Sequence, residues 1–262
     1  MTIGETTHAA REAVMPQSLV DKLLGAAGNG LILVGGQALA FWAMHYEVPI
    51  DANLACVSRD IDFLAASPAD VAEVQRLAAV LGGQAVIPNR RSLTALVGQA
   101  IRHISEDEYF NVDVIHKVLG GRSGLRERAL EVDFDGRIVR VMHPVDVIGS
   151  RLTNLHKLTE KQNSIGDAQM DIAIAIGQRM TATEPDDRQL RKLIEVLATM
   201  AQSNAGRMVA RRRGRHVADA IEPIGAMKTR TFRDRRLPQL MQLMSATRRS
   251  AIARQLAAFQ AD

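Results

Sequence analysis

Aromatic residues make up only 3% of this 262-residue chain. A nucleic-acid surface built on bases stacked against aromatic rings is therefore not expected. Cys56 is the single cysteine, which excludes an intramolecular disulfide and a cysteine-based zinc site. The seven histidines show no metal-ligand spacing, and no serine or cysteine nucleophile motif stands out. No apolar run reaches the ~18 residues needed to span a bilayer. Met1–Val14 is polar, with Glu5, His8, Arg11 and Glu12, and does not read as a signal peptide. These absences lead us to expect a cytoplasmic protein without a membrane partner.

What is present is an ordinary globular composition, 47% hydrophobic and 24% charged, in a chain long enough for one large domain or two small ones. Charge is unevenly distributed. Residues 1–185 carry 17 Lys+Arg against 22 Asp+Glu, and residues 186–262 carry 16 against 7, so the net +4 divides into −5 and +9. A basic second half favours a polyanionic partner without naming it.

Hydrophobic periodicity divides the chain near residue 142. Before it, short β-branched runs alternate with amphipathic helices. A helix over Leu19–Ala27 precedes a turn at Gly28-Asn29-Gly30 and a strand at 31–34. A helix over about 36–46 follows, then a strand at 60–65. Ser67 and Pro68 read as the N-cap and first position of a helix ended by Gly82-Gly83. Further strands are expected at Gln84–Ile87, Thr94–Ile101, Phe110–Ile115, Glu131–Phe134 and Arg137–Met142, with Asp135-Gly136 as a hairpin turn. After Pro144 the pattern is helical throughout, at about 144–160, 166–179, 186–203 and 206–220, with two more helices after 230. The first fifteen residues are expected to fray, and mobility is expected near 50–57 and 119–125. The fold class is thus α/β (α+β): a small mixed sheet with flanking helices over 16–142, followed by a helical, basic domain over 143–262.

Chemistry concentrates at Ser58-Arg59-Asp60-Ile61-Asp62-Phe63. Alternation on a strand sends Asp60 and Asp62 to one side and Ile61 to the other. Two neighbouring carboxylates repel unless a cation lies between them, and oxygen ligands of this kind suit Mg²⁺ or Mn²⁺. Upstream, the strand Leu31–Val34 runs into Gly35-Gly36, a side-chain-free turn suited to phosphates. Asp113 stands inside the β-branched run Asn111-Val112-Asp113-Val114-Ile115, where an isolated carboxylate needs a reason. If its strand neighbours that of Asp60 and Asp62, three carboxylates converge into a ligand set for divalent ions, and Asp113 could act as general base.

These segments resemble the DNA polymerase beta superfamily of nucleotidyltransferases. The run Val34-Gly35-Gly36-Gln37-Ala38-Leu39, followed by Arg59-Asp60-Ile61-Asp62 and Asn111-Val112-Asp113-Val114, is most similar to its abortive-infection toxin branch (AbiEii-like). The resemblance covers about 30–175. It implies a nucleotidyltransferase core in which Asp60, Asp62 and Asp113 are catalytic and bind metal. Gly35, Gly36, Arg59, Arg151 and Lys157 are the nucleotide-binding set. The family's hydroxyl after the glycine pair is Gln37 here, and its lysine on the helix after the sheet is Arg151. The implied activity moves a nucleoside monophosphate from an NTP to a hydroxyl acceptor. RNA, specifically a tRNA 3′ end, is the acceptor that the toxin-type relatives imply, along with an antitoxin partner. A protein side chain or a small molecule such as an aminoglycoside is the alternative acceptor.

Competing readings are plainer. Asp60 and Asp62 could be an edge pair bridged to Arg59 and Arg90. Arg151, Asn154 and Lys157, at i, i+3 and i+6, could line the triphosphate or form a solvated face. Arg211-Arg212-Arg213-Gly214-Arg215 is the densest basic run, read either as a charged helix end or as phosphate contacts to RNA. The rival function is a non-catalytic nucleotide-binding or toxin–antitoxin interaction module on the same fold.

Overall fold

A computed structural model describes residues 10–28, 30–50, 60–89, 92–134, 136–222 and 228–244. Cys56, Arg59, Arg90, Asp135 and most of the expected mobile loop at 50–57 lie outside the described residues, as does everything after 244. The described residues fall into two compact units: those within 1–38, 57–118 and 124–142 form the first, and those within 39–56, 119–123 and 143–262 the second. The second unit thus reaches back to take 39–56 and 119–123 from the region expected to be one α/β domain.

The first unit is an eight-stranded mixed sheet with helices. Its elements are β1 (Arg11–Glu12), α1 (Gln17–Ala27), β2 (Ile32–Val34), the start of α2 (Gly35–His45), β3 (Ile61–Leu64), α3 (Val71–Leu81), β4 (Gln84–Val86), β5 (Leu96–His103), β6 (Glu108–Ile115), α4 (Leu125–Arg128), β7 (Leu130–Phe134) and β8 (Arg137–Val141). Strand order is β4-β5-β6-β3-β2-β8-β7, with β1 pairing to β6. The α/β fold class is therefore as the periodicity indicates. The parallel β3–β6 pair lies centrally and is apolar on one side: Ile61, Phe63, Val112 and Val114 are all fully buried.

Two local expectations need correction. Residues 11–12 are not frayed. They add a short strand parallel to the start of β6, and the Arg11 guanidinium donates to Glu108 Oε1 at 2.7 Å. Pro68 does not start α3. The Ser67 hydroxyl instead accepts from Ala69 N at 3.1 Å, and Asp70 Oδ2 accepts from Ser67 N at 2.9 Å. These short-range bonds close a turn and postpone the helix to Val71. Val74, Leu77, Ala78 and Leu81 then bury one face, each large aliphatic contributing about 1.5–3 kcal/mol, and Gly82 ends the helix at φ 71°.

The second unit is helical: α5 (Pro144–Lys157), α6 (Ser164–Thr183), α7 (Asp187–Gln202) and α8 (Asn204–Arg213), with a 3₁₀ turn at Val217–Ala220 and a π turn at Phe232–Arg236 inside a helical segment over 230–244. Side chains cap the four helix starts. His143 Nδ1 accepts from Val145 N, Asn163 Oδ1 from Gly166 N, Asp186 Oδ1 from Arg188 N and Ser203 Oγ from Gly206 N. Within 119–125, expected to be mobile, Gly120 and Arg122 are held in place, although Leu119, Gly121 and Ser123 are exposed. A Cβ on Gly120 would stand 2.3 Å from Thr153 Oγ1, and Arg122 Nε donates at 2.9 Å to the fully buried Asp146.

Candidate active site

Strand register assembles the carboxylates. On the antiparallel β2–β3 pair, Val34 faces Asp62; on the parallel β3–β6 pair, Asp62 faces Asp113; on the antiparallel β5–β6 pair, Asp113 faces Gln99. One transverse row therefore runs Val34, Asp62, Asp113, Gln99. Asp60 sits one residue before β3, and Ile61 between the two carboxylates is fully buried, as alternation requires. Asp60, Asp62 and Asp113 are half-buried, and one carboxylate oxygen from each lies within 4.8 Å of the others.

The glycine turn belongs to the same site. Gly35 has φ 67°, and a Cβ there would fall 1.8 Å from Asp62 Oδ2 and 2.7 Å from its Cγ. The Asp62 carboxylate occupies the space that any other residue at 35 would need. Gly36 follows in the first turn of α2, which opens directly from β2. The two glycines and the carboxylates thus form one surface.

Burial raises the pKa of Asp113 above the ordinary aspartate value, and the charge of Asp60 raises it further. Hydrogen bonds from Gln99 and Asn111 partly oppose this. A carboxylate that is desolvated and faces like charges is suited to a cation, and three oxygen donors at this spacing suit a hard divalent ion such as Mg²⁺ or Mn²⁺. A raised folded-state pKa contributes stability below the ordinary aspartate pKa, and that contribution is lost as pH rises through the folded value. Bound metal needs the ionised form. Mn²⁺ affinity should therefore fall on acidification at a higher pH than an ordinary aspartate would give. Isothermal titrations across a pH series test this; affinity that holds constant down to the ordinary aspartate range would contradict it.

Gln99 and Asn111 were not singled out from the sequence. Asn111 carried a signal, since it lies two residues before Asp113 and so shares its face, inside an otherwise apolar run. Gln99 carried none, because only the β5–β6 register sets it opposite Asp113.

The chain matches no protein-family model. No curated protein matches it. Among solved structures similar at low level are the following two. The antibiotic-resistance factor ANT(2'')-Ia is 16% identical, covers 67% of this chain and 87% of its own, with a TM-score of 0.40. A Megavirus polyadenylate synthase is 15% identical, over 71% of this chain and 36% of its own, with a TM-score of 0.40. Likeness at this level assigns neither activity nor residues, so the site is read from its own geometry.

The remaining candidates belong to the second unit. Arg151 is buried on α5, and its Nη1 donates to Gln169 Oε1 at 2.9 Å. Lys157 is exposed in the last turn of α5. The expected common face of Arg151, Asn154 and Lys157 is not seen, because six residues at 3.6 per turn leave Lys157 about 120° around the helix from Arg151. A cation there suits the helix C-terminus. The basic run is divided. Arg211 and Arg212 are exposed, whereas Arg213 grips Asp167 through two bonds, Nε to Oδ1 and Nη2 to Oδ2, and Arg215 grips Asp171. Replacing Arg213 by Ala should destabilise the protein by about 1–2 kcal/mol, a buried-pair penalty reduced because water still reaches both groups. Thermal unfolding of Arg213→Ala against Arg212→Ala checks this, and equal melting points would refute it. Among the described residues, no helix is long and apolar enough to cross a membrane.

Proposed function

We propose that the first unit is the catalytic core of a nucleotidyltransferase that moves a nucleoside monophosphate from an NTP to a hydroxyl acceptor. The observation that carries this reading is the convergence of one carboxylate oxygen each from Asp60, Asp62 and Asp113 within 4.8 Å, beside Gly35, where no side chain fits. Asp60, Asp62 and Asp113 would hold Mg²⁺ or Mn²⁺, which supplies charge neutralisation and Lewis acidity toward phosphoryl oxygens. Backbone at Gly35 and Gly36 gives the triphosphate a side-chain-free approach. Asp113, with its raised pKa, accepts the proton of the attacking hydroxyl. The acceptor oxygen then bonds to the α-phosphorus, the bond to the β-phosphate oxygen breaks, and pyrophosphate leaves. Positioning and electrostatics carry most of the acceleration.

For the acceptor we propose RNA, held through phosphates by the second unit, with Arg211 and Arg212 as contacts. The +9 charge of residues 186–262 supports this, and it predicts salt-dependent binding without sequence choice. A toxin role with an antitoxin partner, and a cytoplasmic location, are part of the same proposal. The test is incubation with Mg²⁺, each labelled NTP and total RNA. Label in RNA supports nucleotidyl transfer with RNA as the acceptor. Label in protein or in a small molecule replaces the acceptor. No transfer with any NTP would favour a non-catalytic nucleotide-binding or interaction module.

A further inference from the structure

Two amides converge on one atom. Gln99 Nε2 donates at 2.9 Å and Asn111 Nδ2 at 2.8 Å, both to Oδ1 of Asp113. Register explains the arrangement: Gln99 is the cross-strand neighbour of Asp113 on β5, and Asn111 is its same-face neighbour on β6. Among the described residues Oδ2 receives no hydrogen bond.

The plain explanation is that a half-buried carboxylate has found donors. Two features speak against stability as the reason. Donors that merely satisfy a carboxylate can be shared between its oxygens, whereas here both crowd one. Asn111 is 6% exposed, and its own Oδ1 is buried without a hydrogen-bond partner. Turning the amide over would set that oxygen against the carboxylate, so the observed orientation is the one the charge demands. An orphaned buried acceptor is a local cost, and an apolar residue of the same shape would avoid it. Local cost of this kind concentrates where geometry matters more than stability.

We propose that Gln99 and Asn111 are positioning residues. They clamp Oδ1 of Asp113, fix the plane of its carboxylate, and leave Oδ2 as the oxygen that serves the cation or the acceptor hydroxyl. The inference rests on the preceding reading of the carboxylates as a metal site. Outer-sphere partners of metal ligands orient them in this way, and their loss costs about 10–100-fold in metal affinity.

The test is Mn²⁺ binding, followed by the electron paramagnetic resonance signal of the free ion, on folded protein well below its melting point. Gln99→Met and Asn111→Leu keep size and remove the donors. The double variant should lose about 10–100-fold in Mn²⁺ affinity. In an Asp113→Asn background the same pair should add less than about twofold, because the effect passes through Asp113. A double variant that matches wild-type affinity would overturn the inference, as would an undiminished loss in the Asp113→Asn background. Should the double variant fail to fold, the half-buried position of Gln99 lets Gln99→Met alone decide by the same criteria. Wild-type protein that binds no Mn²⁺ would overturn the reading of the site itself; binding by wild type and double variant alike would overturn only the clamp.

Discussion

Asp62→Asn is expected to lower nucleotidyl transfer by ~10³-fold or more while the metal-free protein becomes more stable, not less. Asp62 lies in the middle of the row, facing Asp113 on one side and the Gly35 turn on the other. One of its oxygens lies within 4.8 Å of one from Asp60 and one from Asp113. Unit charges at that spacing on a half-buried surface repel by about 1–3 kcal/mol, depending on how far water penetrates. Asparagine keeps the shape and removes the charge. About 1 kcal/mol of relief should raise the melting point by about 2–4 °C in a protein of this size. Saturating Mg²⁺ should reverse the order, because only the wild type gains from the cation. Parallel melting curves with Mg²⁺ and with a chelator, together with the labelling assay, measure all three effects. Transfer that survives the substitution would remove Asp62 from the catalytic set. A lower melting point in the metal-free variant would show that Asp62 stabilises the fold and would overturn the repulsion argument.

Gly35→Ala should be the second severe change, for two separable reasons. The first is backbone: φ 67° costs a residue with a Cβ about 1–2 kcal/mol. The second is space, since the new Cβ would lie 1.8 Å from Asp62 Oδ2. Either β2 shifts or the carboxylate leaves the row, and a displacement of about 1 Å in a reacting constellation can cost about 10²-fold in rate. Gly136→Ala separates the two. Gly136 also has a positive φ, 78°, but nothing lies within 4 Å of the Cβ it would gain. It should therefore lose stability by the backbone cost alone and retain activity. If the two variants lose equal stability and both keep transfer, the contact between Gly35 and Asp62 has no functional weight.

Much of this site was legible from single strands. Ile61 between Asp60 and Asp62 announces its geometry because alternation is a property of any extended backbone, needing no partner. Asp113 announces itself as a charge inside a β-branched run. Gln99 did not, because a glutamine in an edge-side strand acquires meaning only from the strand beside it. Asp167 and Arg213 are a similar case. Each reads as surface charge in sequence, yet α6 and α8 bring them into a bidentate pair across 46 residues. Ser67-Pro68 misled for a different reason: a cap serine and a turn serine use the same hydroxyl, and Asp70 three residues on decided between them.

By itself, the sequence determined most of the longer elements, the facing of each carboxylate on its own strand and a side-chain-free turn between β2 and α2, because these follow from backbone periodicity and sterics over a few residues. The tertiary structure alone decided that β3 lies parallel to β6 with Asp62 against Asp113, that Gly35 yields its side-chain space to Asp62, and that two amides share one oxygen. Those facts depend on register between separate strands, and register is set by the packing of the whole buried face rather than by any one strand.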